Sequence, residues 1–224
     1  MAAPTIVFDL DGTLIDTAPD LVDTLNVIFA REGWPPVPYE TARNQIGGGA
    51  RTMIQRGIAA EGVVVTPDRL ERLFADFIAH YTAHIADRSR PFPGLIDALD
   101  DLAGRGCKLA VCTNKLERLS TRLLKLLELA DRFAFVCGQD TFGMQKPDPD
   151  VLRRTVAAVG GDIAQAIMIG DSVTDISTAR AAGIPIIAVD FGYSDRPVSE
   201  LGPDRTISHF AQLPAAIAAI LPAI

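Results

Sequence analysis

The chain sets acids, a hydroxyl, an amide and a lysine directly after short apolar runs. The first run passes into Phe8-Asp9-Leu10-Asp11-Gly12-Thr13-Leu14. Alternate side chains of an extended strand share a face, so Asp9 and Asp11 are predicted to project to one side. Two carboxylates so close repel, and burying them is costly unless something cationic compensates. A divalent cation with oxygen ligands meets that need, and Mg²⁺ is the expected ion. Gly12 lets the chain turn sharply and brings backbone N–H groups toward an anion. The bland alternative is a pair of exposed turn aspartates.

Three further runs end in complementary groups. Leu109-Ala110-Val111-Cys112 is followed by Thr113 and Asn114, whose side chains can donate to a phosphate oxygen. Cys112 reads as a small buried apolar residue, since no cysteine–histidine pair is suggested. Lys146-Pro147-Asp148-Pro149 is a rigid turn before a helix, and its lysine reads as a point charge for a phosphoryl group. The alternative is a solvated surface lysine. Ile167-Met168-Ile169-Gly170 delivers Asp171, with Asp175 four residues later. Asp171 is a natural third ligand for the same cation, and Asp175 either holds Lys146 or a metal-bound water. Each signal is modest alone; together they form one constellation.

Groups far apart in sequence meet only if strands bring them to one edge. Thr5 to Leu10, Lys108 to Thr113 and Ala166 to Ile169 read as strands buried on both faces, with Phe133 to Cys137 and Ile184 to Val189 as weaker candidates. Helical patterns lie between them from Pro93 onward, which predicts a layered α/β fold with a parallel, Rossmann-like sheet. From Ile15 to Arg90 there is no convincing strand. Thr17-Ala18-Pro19-Asp20 and Thr66-Pro67-Asp68 are helix starts, and Gly33 is a stop. An all-helical insert of roughly 75 residues is too long for a loop. The expected organisation is an α/β core, residues 1–15 and 91–224, with a helical cap, residues 16–90, hinged near Ile15–Asp20 and Arg88–Gly94. The Gly47-Gly48-Gly49 run marks a turn within the cap.

Composition bounds the rest. The 224 residues are 48% apolar with a net charge of −7, which argues against disorder and against nucleic-acid or anionic-membrane surfaces. Three cysteines without a C-x-x-C pair predict neither a disulfide framework nor a zinc ribbon, and fit a cytoplasmic protein. Met1 to Pro4 lacks the basic start of an export signal, and the apolar Leu213 to Ile224 stretch is short and broken by Pro214 and Pro222. It reads as a closing helix packed on the core.

The order D-x-D-G-T, strand-end Thr, K-P-D-P and G-D-x-x-x-D resembles the haloacid dehalogenase superfamily of aspartyl-phosphate phosphohydrolases, across essentially the whole chain. Phe8 to Leu21, Ile46 to Ala50 and Phe191 to Ser194 are especially similar to its bacterial phosphoglycolate phosphatases, though Thr17 and Gly48 stand where those show Ser and Asn more often. The resemblance implies an inserted helical (C1-type) cap and a Mg²⁺-dependent phosphomonoesterase acting on a small phosphorylated metabolite. Asp9 is then the nucleophile and Asp11 the acid and base. Mg²⁺ is held by Asp9, the backbone carbonyl of Asp11, and Asp171. Thr113, Asn114, Lys146 and the backbone N–H groups from Gly12 onward bind phosphoryl oxygens, while Thr13 and Asp175 support. The expected reaction is 2-phosphoglycolate to glycolate and phosphate, by a monomer or homodimer. A sugar-phosphate or pyrophosphate phosphatase, a phosphomutase and a non-catalytic phosphate-binding regulator are the alternatives; a dehalogenase would leave Asp11 superfluous. In the cap, Arg43, Arg51 and Arg56 are candidates for a substrate carboxylate, with Arg51 preferred because Arg binds carboxylates in a fork. His80 and His84 lack a third metal ligand, and Trp34 is expected to staple the cap.

Overall fold

The computed structural model describes residues 3–46 and 48–221. Met1, Ala2, Gly47 of the glycine run, and Pro222 to Ile224 of the apolar tail lie outside the described residues. Strand β1 (Thr5–Phe8) leads through a tight reverse turn to β2 (Ile15–Asp16). Four helices follow: α1 (Ala18–Arg31), α2 (Tyr39–Arg43), α3 (Ala50–Ala60) and α4 (Pro67–Ala83). The chain returns through β3 (Arg90–Pro91) to α5 (Leu95–Gly104), β4 (Lys108–Cys112), α6 (Glu117–Leu126), β5 (Phe135–Cys137) and α7 (Pro149–Ala158). It ends with β6 (Ala166–Gly170), α8 (Val173–Ala182), β7 (Ile186–Val189), β8 (Arg205–Ile207) and α9 (Leu213–Ala218). Six strands form one sheet in the order β5-β4-β1-β6-β7-β8, and all its pairs are parallel. The α/β reading holds.

Strand alternation explains why these runs are apolar throughout. Ile6, Phe8, Leu109, Val111, Ile167 and Ile169 face one core cluster, which also takes Leu25 and Phe29 of α1 and Phe77 of α4. Val7, Ala110, Cys112 and Met168 face the other, against Val151, Leu152 and Ile176 of α7 and α8. A sheet covered on both faces offers no polar side. Ile6 sits opposite both Leu109 and Ile167, so β1 is central and its C-terminal end has a neighbour's end on each side. Strand β8 has no counterpart among the apolar runs: Arg205 and Thr206 are exposed and only Ile207 is buried, the pattern of an edge strand. The closing helix is α9, with Leu213 and Ile217 in the core.

The two crossings between sheet and helical insert lie side by side. β2 and β3 pair antiparallel, a ribbon of two residues each that sequence periodicity could not show. Asp20 clasps the same place: its carboxylate accepts the backbone N–H groups of Arg88 and Ser89 and the Ser89 hydroxyl. Thr66 caps α4 through its side chain, and Trp34 packs edge-on against Phe29 at 5.1 Å. None of the described helices is long and apolar enough to cross a membrane.

Candidate active site

The C-terminal ends of β1, β4 and β6 carry the predicted groups to one place. β1 stops at Phe8, and Asp9 follows with its N–H bonded to the Ile169 carbonyl at 2.9 Å. The chain then reverses: the N–H groups of Leu14 and Ile15 bond the Leu10 carbonyl, and Gly12 takes φ +82°. The turn sets Asp9 and Asp11 on one pocket, which also takes Thr113, Asn114 and Lys115 from the end of β4. Leu21, Met53, Phe74 and Ile78 of the helical insert form its apolar wall. From the end of β6, Asp171 stands behind the turn. It accepts the Thr13 hydroxyl at 2.9 Å and the Tyr193 N–H at 2.7 Å.

Lys146 lies in the middle of the acids. Its Nζ is 3.0 Å from Asp9 Oδ1 and 2.6 Å from Asp175 Oδ1, with the side chain 2% exposed. Burial alone would pull this ammonium down, but Asp175 and Asp9 outweigh it and hold Lys146 above the ordinary lysine range. Asp175 is fully spent: Oδ1 takes Lys146, and Oδ2 closes a capping box with Ser172. Asp9, Asp171 and Asp175 place oxygens within 4.8 Å of one another, all buried. Three carboxylates against one lysine leave a negative excess in a low-dielectric place. The effect is visible in their titration: burial, with the neighbouring acids, pushes Asp9 up to about 6 despite Lys146. The same causes push Asp171 up to about 8. Asp9 Oδ2 receives no described donor, while Oδ1 takes Lys146 and the Leu10 N–H. Hard oxygen donors, a buried charge deficit and an unused carboxylate oxygen fit a divalent cation.

Known proteins share this pattern. A family profile described as haloacid dehalogenase-like hydrolase matches residues 6–189, a span from β1 to the end of β7. The chain belongs to that family. It is 49% identical to a phosphoglycolate phosphatase of Caulobacter vibrioides over 97% of this chain and 92% of that protein. A phosphoglycolate phosphatase of Mesorhizobium japonicum is also 49% identical, over 97% and 96% of the two chains. A crystal structure from Haemophilus somnus, described as a predicted phosphoglycolate phosphatase, superposes with TM-score 0.89 at 27% identity and covers 95% of this chain and 97% of that one.

Within the family's pattern, the structure brings Asp9, Asp11, Thr113, Lys146, Asp171 and Asp175 together and revises three roles. Asn114 is not free for a phosphoryl group as expected: Oδ1 accepts the Lys146 N–H at 2.9 Å and Nδ2 donates to the Lys146 carbonyl at 3.1 Å. It pins the loop that carries the lysine. Asp11 gives its carboxylate to Thr17 and Lys115 and stands outside the acidic cluster. Arg51 points away from the pocket: its guanidinium forks onto Glu71 and lies over the Phe74 ring at 4.4 Å. Helical phase explains this, because Ala50 and Met53 of α3 line the pocket and Arg51 takes another face. Arg43 donates to the Phe191 and Gly192 carbonyls, and Arg56 to the Gln45 carbonyl.

Sequence reasoning missed Lys115, Tyr81 and Tyr193. Lys115 Nζ bonds both Asp11 oxygens, at 2.9 and 3.1 Å, and Tyr81 Oη at 2.7 Å. Tyr193 donates from Oη to Asp16 and accepts the Ala18 N–H, so it ties the insert's entry to the Asp171 backbone contact. A basic residue directly after Thr113-Asn114 was the one available signal for Lys115.

Proposed function

We propose that the chain is a Mg²⁺-dependent phosphatase that converts 2-phosphoglycolate to glycolate and phosphate through an aspartyl-phosphate on Asp9. The observation that carries the chemistry is the pair of unlike carboxylates at one strand end. Asp9 is buried against Lys146 with a free Oδ2, while Asp11 stands at the pocket mouth on Thr17 and Lys115. Asp9 Oδ2 attacks phosphorus and the ester P–O bond breaks, a covalent route open to carboxylates. Asp11 gives its proton to the departing oxygen. It then takes a proton from the water that attacks the aspartyl-phosphate, which frees Asp9 and releases phosphate. Lys146 and the Thr113 hydroxyl neutralise and orient phosphoryl oxygens, and Asn114 fixes the loop that presents Lys146.

Asp9, Asp171 and the backbone carbonyl of Asp11 are the groups that would hold Mg²⁺. The ion supplies charge neutralisation between a phosphate dianion and these acids. Its need follows from magnitude: like unit charges 4 Å apart repel by about 4 kcal/mol at an effective dielectric near 20. Residues 16–90 act as the cap, hinged where β2 pairs with β3 and Asp20 clasps Ser89. Its apolar wall excludes water from the ester, and the compact pocket suits a small substrate. The relatives' names supply the substrate, and the test is a turnover screen across 2-phosphoglycolate, sugar phosphates, nucleotides and pyrophosphate. Expected is a kcat/KM for 2-phosphoglycolate above all others, abolished by EDTA and restored by Mg²⁺. Activity that survives EDTA rejects the metal, and preference for a sugar phosphate rejects the substrate.

A further inference from the structure

On that reading, 2-phosphoglycolate brings two anionic groups, and only the phosphoryl group has partners so far. A single methylene joins its carboxylate to the leaving oxygen. The carboxylate must therefore lie within a few ångströms of the group that protonates that oxygen, which is Asp11. Among the described residues lining the pocket, Lys115 is the only cation. Its Nζ touches Asp11 itself, and its side chain is 5% exposed. The other candidates are committed elsewhere: Arg51 to Glu71, Arg43 to backbone carbonyls of residues 191 and 192, and Lys146 to Asp9 and Asp175.

Donor counting then leaves room for a ligand. An ammonium has three N–H donors. Asp11 receives one in a forked contact, Tyr81 Oη receives another, and the third has no described acceptor. Tyr81 is buried and accepts from Lys115, and its own hydroxyl proton likewise has no described acceptor. Burial, with Asp11 nearby, keeps that proton on the oxygen by pushing the phenol well above its usual range. Two adjacent donors on buried side chains match the two oxygens of a carboxylate. The apolar wall around them strengthens such a contact by keeping water out. We propose that Lys115 and Tyr81 Oη form the subsite for a carboxylate on the carbon next to the phosphate ester, and so select phosphorylated 2-hydroxy acids over neutral monoesters.

The test compares kcat/KM for 2-phosphoglycolate with kcat/KM for ethyl phosphate, which is the same length without the charge. Lys115→Met is expected to lower this ratio roughly 10- to 100-fold, the cost of losing a charged hydrogen bond, chiefly by raising the Michaelis constant for the carboxylated substrate. Lys115→Arg should keep most of it, and Tyr81→Phe should lose a smaller part. Any misalignment of Asp11 slows both substrates and cancels in the ratio. An unchanged ratio in Lys115→Met therefore reduces Lys115 to a positioning residue for Asp11 and overturns the subsite. Inhibition of p-nitrophenyl phosphate turnover gives a second reading that needs no phosphoglycolate turnover. Wild type should bind phosphonoacetate at least about 10-fold tighter than methylphosphonate, and Lys115→Arg should retain that gap. Equal binding by wild type rejects the subsite while the phosphatase reading stands. Tight phosphonoacetate binding in a protein that prefers another ester rejects 2-phosphoglycolate as substrate and leaves the subsite in place.

Discussion

Asp9 is held as an anion where an anion is costly. Burial and two neighbouring acids raise it to about 6, and only Lys146 opposes them. Replacing Asp9 by Asn keeps the shape and removes the charge that must be desolvated, while Lys146 keeps Asp175. Turnover is expected to fall roughly 10⁴- to 10⁶-fold, as for loss of a catalytic nucleophile. The melting temperature in EDTA should be equal to or above wild type, because a site built for chemistry carries strain that inactive variants shed. Steady-state kinetics and a thermal melt decide it; wild-type-like turnover removes Asp9 as nucleophile. At this scale the acids were legible, because an apolar run that ends in D-x-D or G-D leaves few other readings. Lys115 and Tyr81 were not, since their contact joins two elements separated by 34 positions and no local pattern encodes it. Arg51 misled for the opposite reason: its position next to the glycine run was visible, and the helical phase that turns it to Glu71 was not.

At the scale of elements, the site depends on how closely backbone segments approach Asp171. A Cβ on Gly192 would lie 2.2 Å from the Asp171 Cβ, and one on Gly12 would lie 2.5 Å from Asp171 Oδ2. The loop after β7 and the turn after β1 thus grip Asp171 from two sides. Gly192→Ala is expected to push Asp171 away from the Tyr193 N–H. Overpacking of this kind costs about 1–3 kcal/mol, and losing an outer-shell contact weakens metal affinity about 10- to 100-fold. A Mg²⁺ titration of activity should show the half-saturation point rise accordingly, and an unchanged one rejects the proposed role of Asp171. These contacts also mark what the sequence could and could not tell about elements. Five of the six sheet strands were visible as apolar runs bounded by turn residues. The sixth, β8, buries one side chain of three, and the β2–β3 ribbon is too short for periodicity. Tertiary pairing defines both.

Across the whole molecule, a net charge of −7 conceals how unevenly the acids are placed. Most are solvated, whereas Asp9, Asp171 and Asp175 share one buried place with Lys146. In the absence of metal, folded Asp9 and Asp171 hold protons up to about 6 and about 8, against an ordinary value of 3.8. The folded chain therefore binds more protons than the unfolded chain between roughly pH 4 and 8, and linkage makes stability fall as pH rises through that window. His80, which burial pulls down, works in the opposite sense. The carboxylate contribution is isolated by comparison with Asp171→Asn, whose melting temperature in EDTA should decline less between pH 5 and pH 8. A divalent cation needs the deprotonated acids, so its stabilising effect should grow over the same range. At 100 times its dissociation constant it contributes about 2.7 kcal/mol, equivalent to roughly 5–10 °C for a chain of this size. Melts with EDTA and with Mg²⁺ at pH 5 and pH 8 should show the larger Mg²⁺ shift at pH 8. A shift that is equal at both, or larger at pH 5, would mean that the buried acids are not where the ion binds.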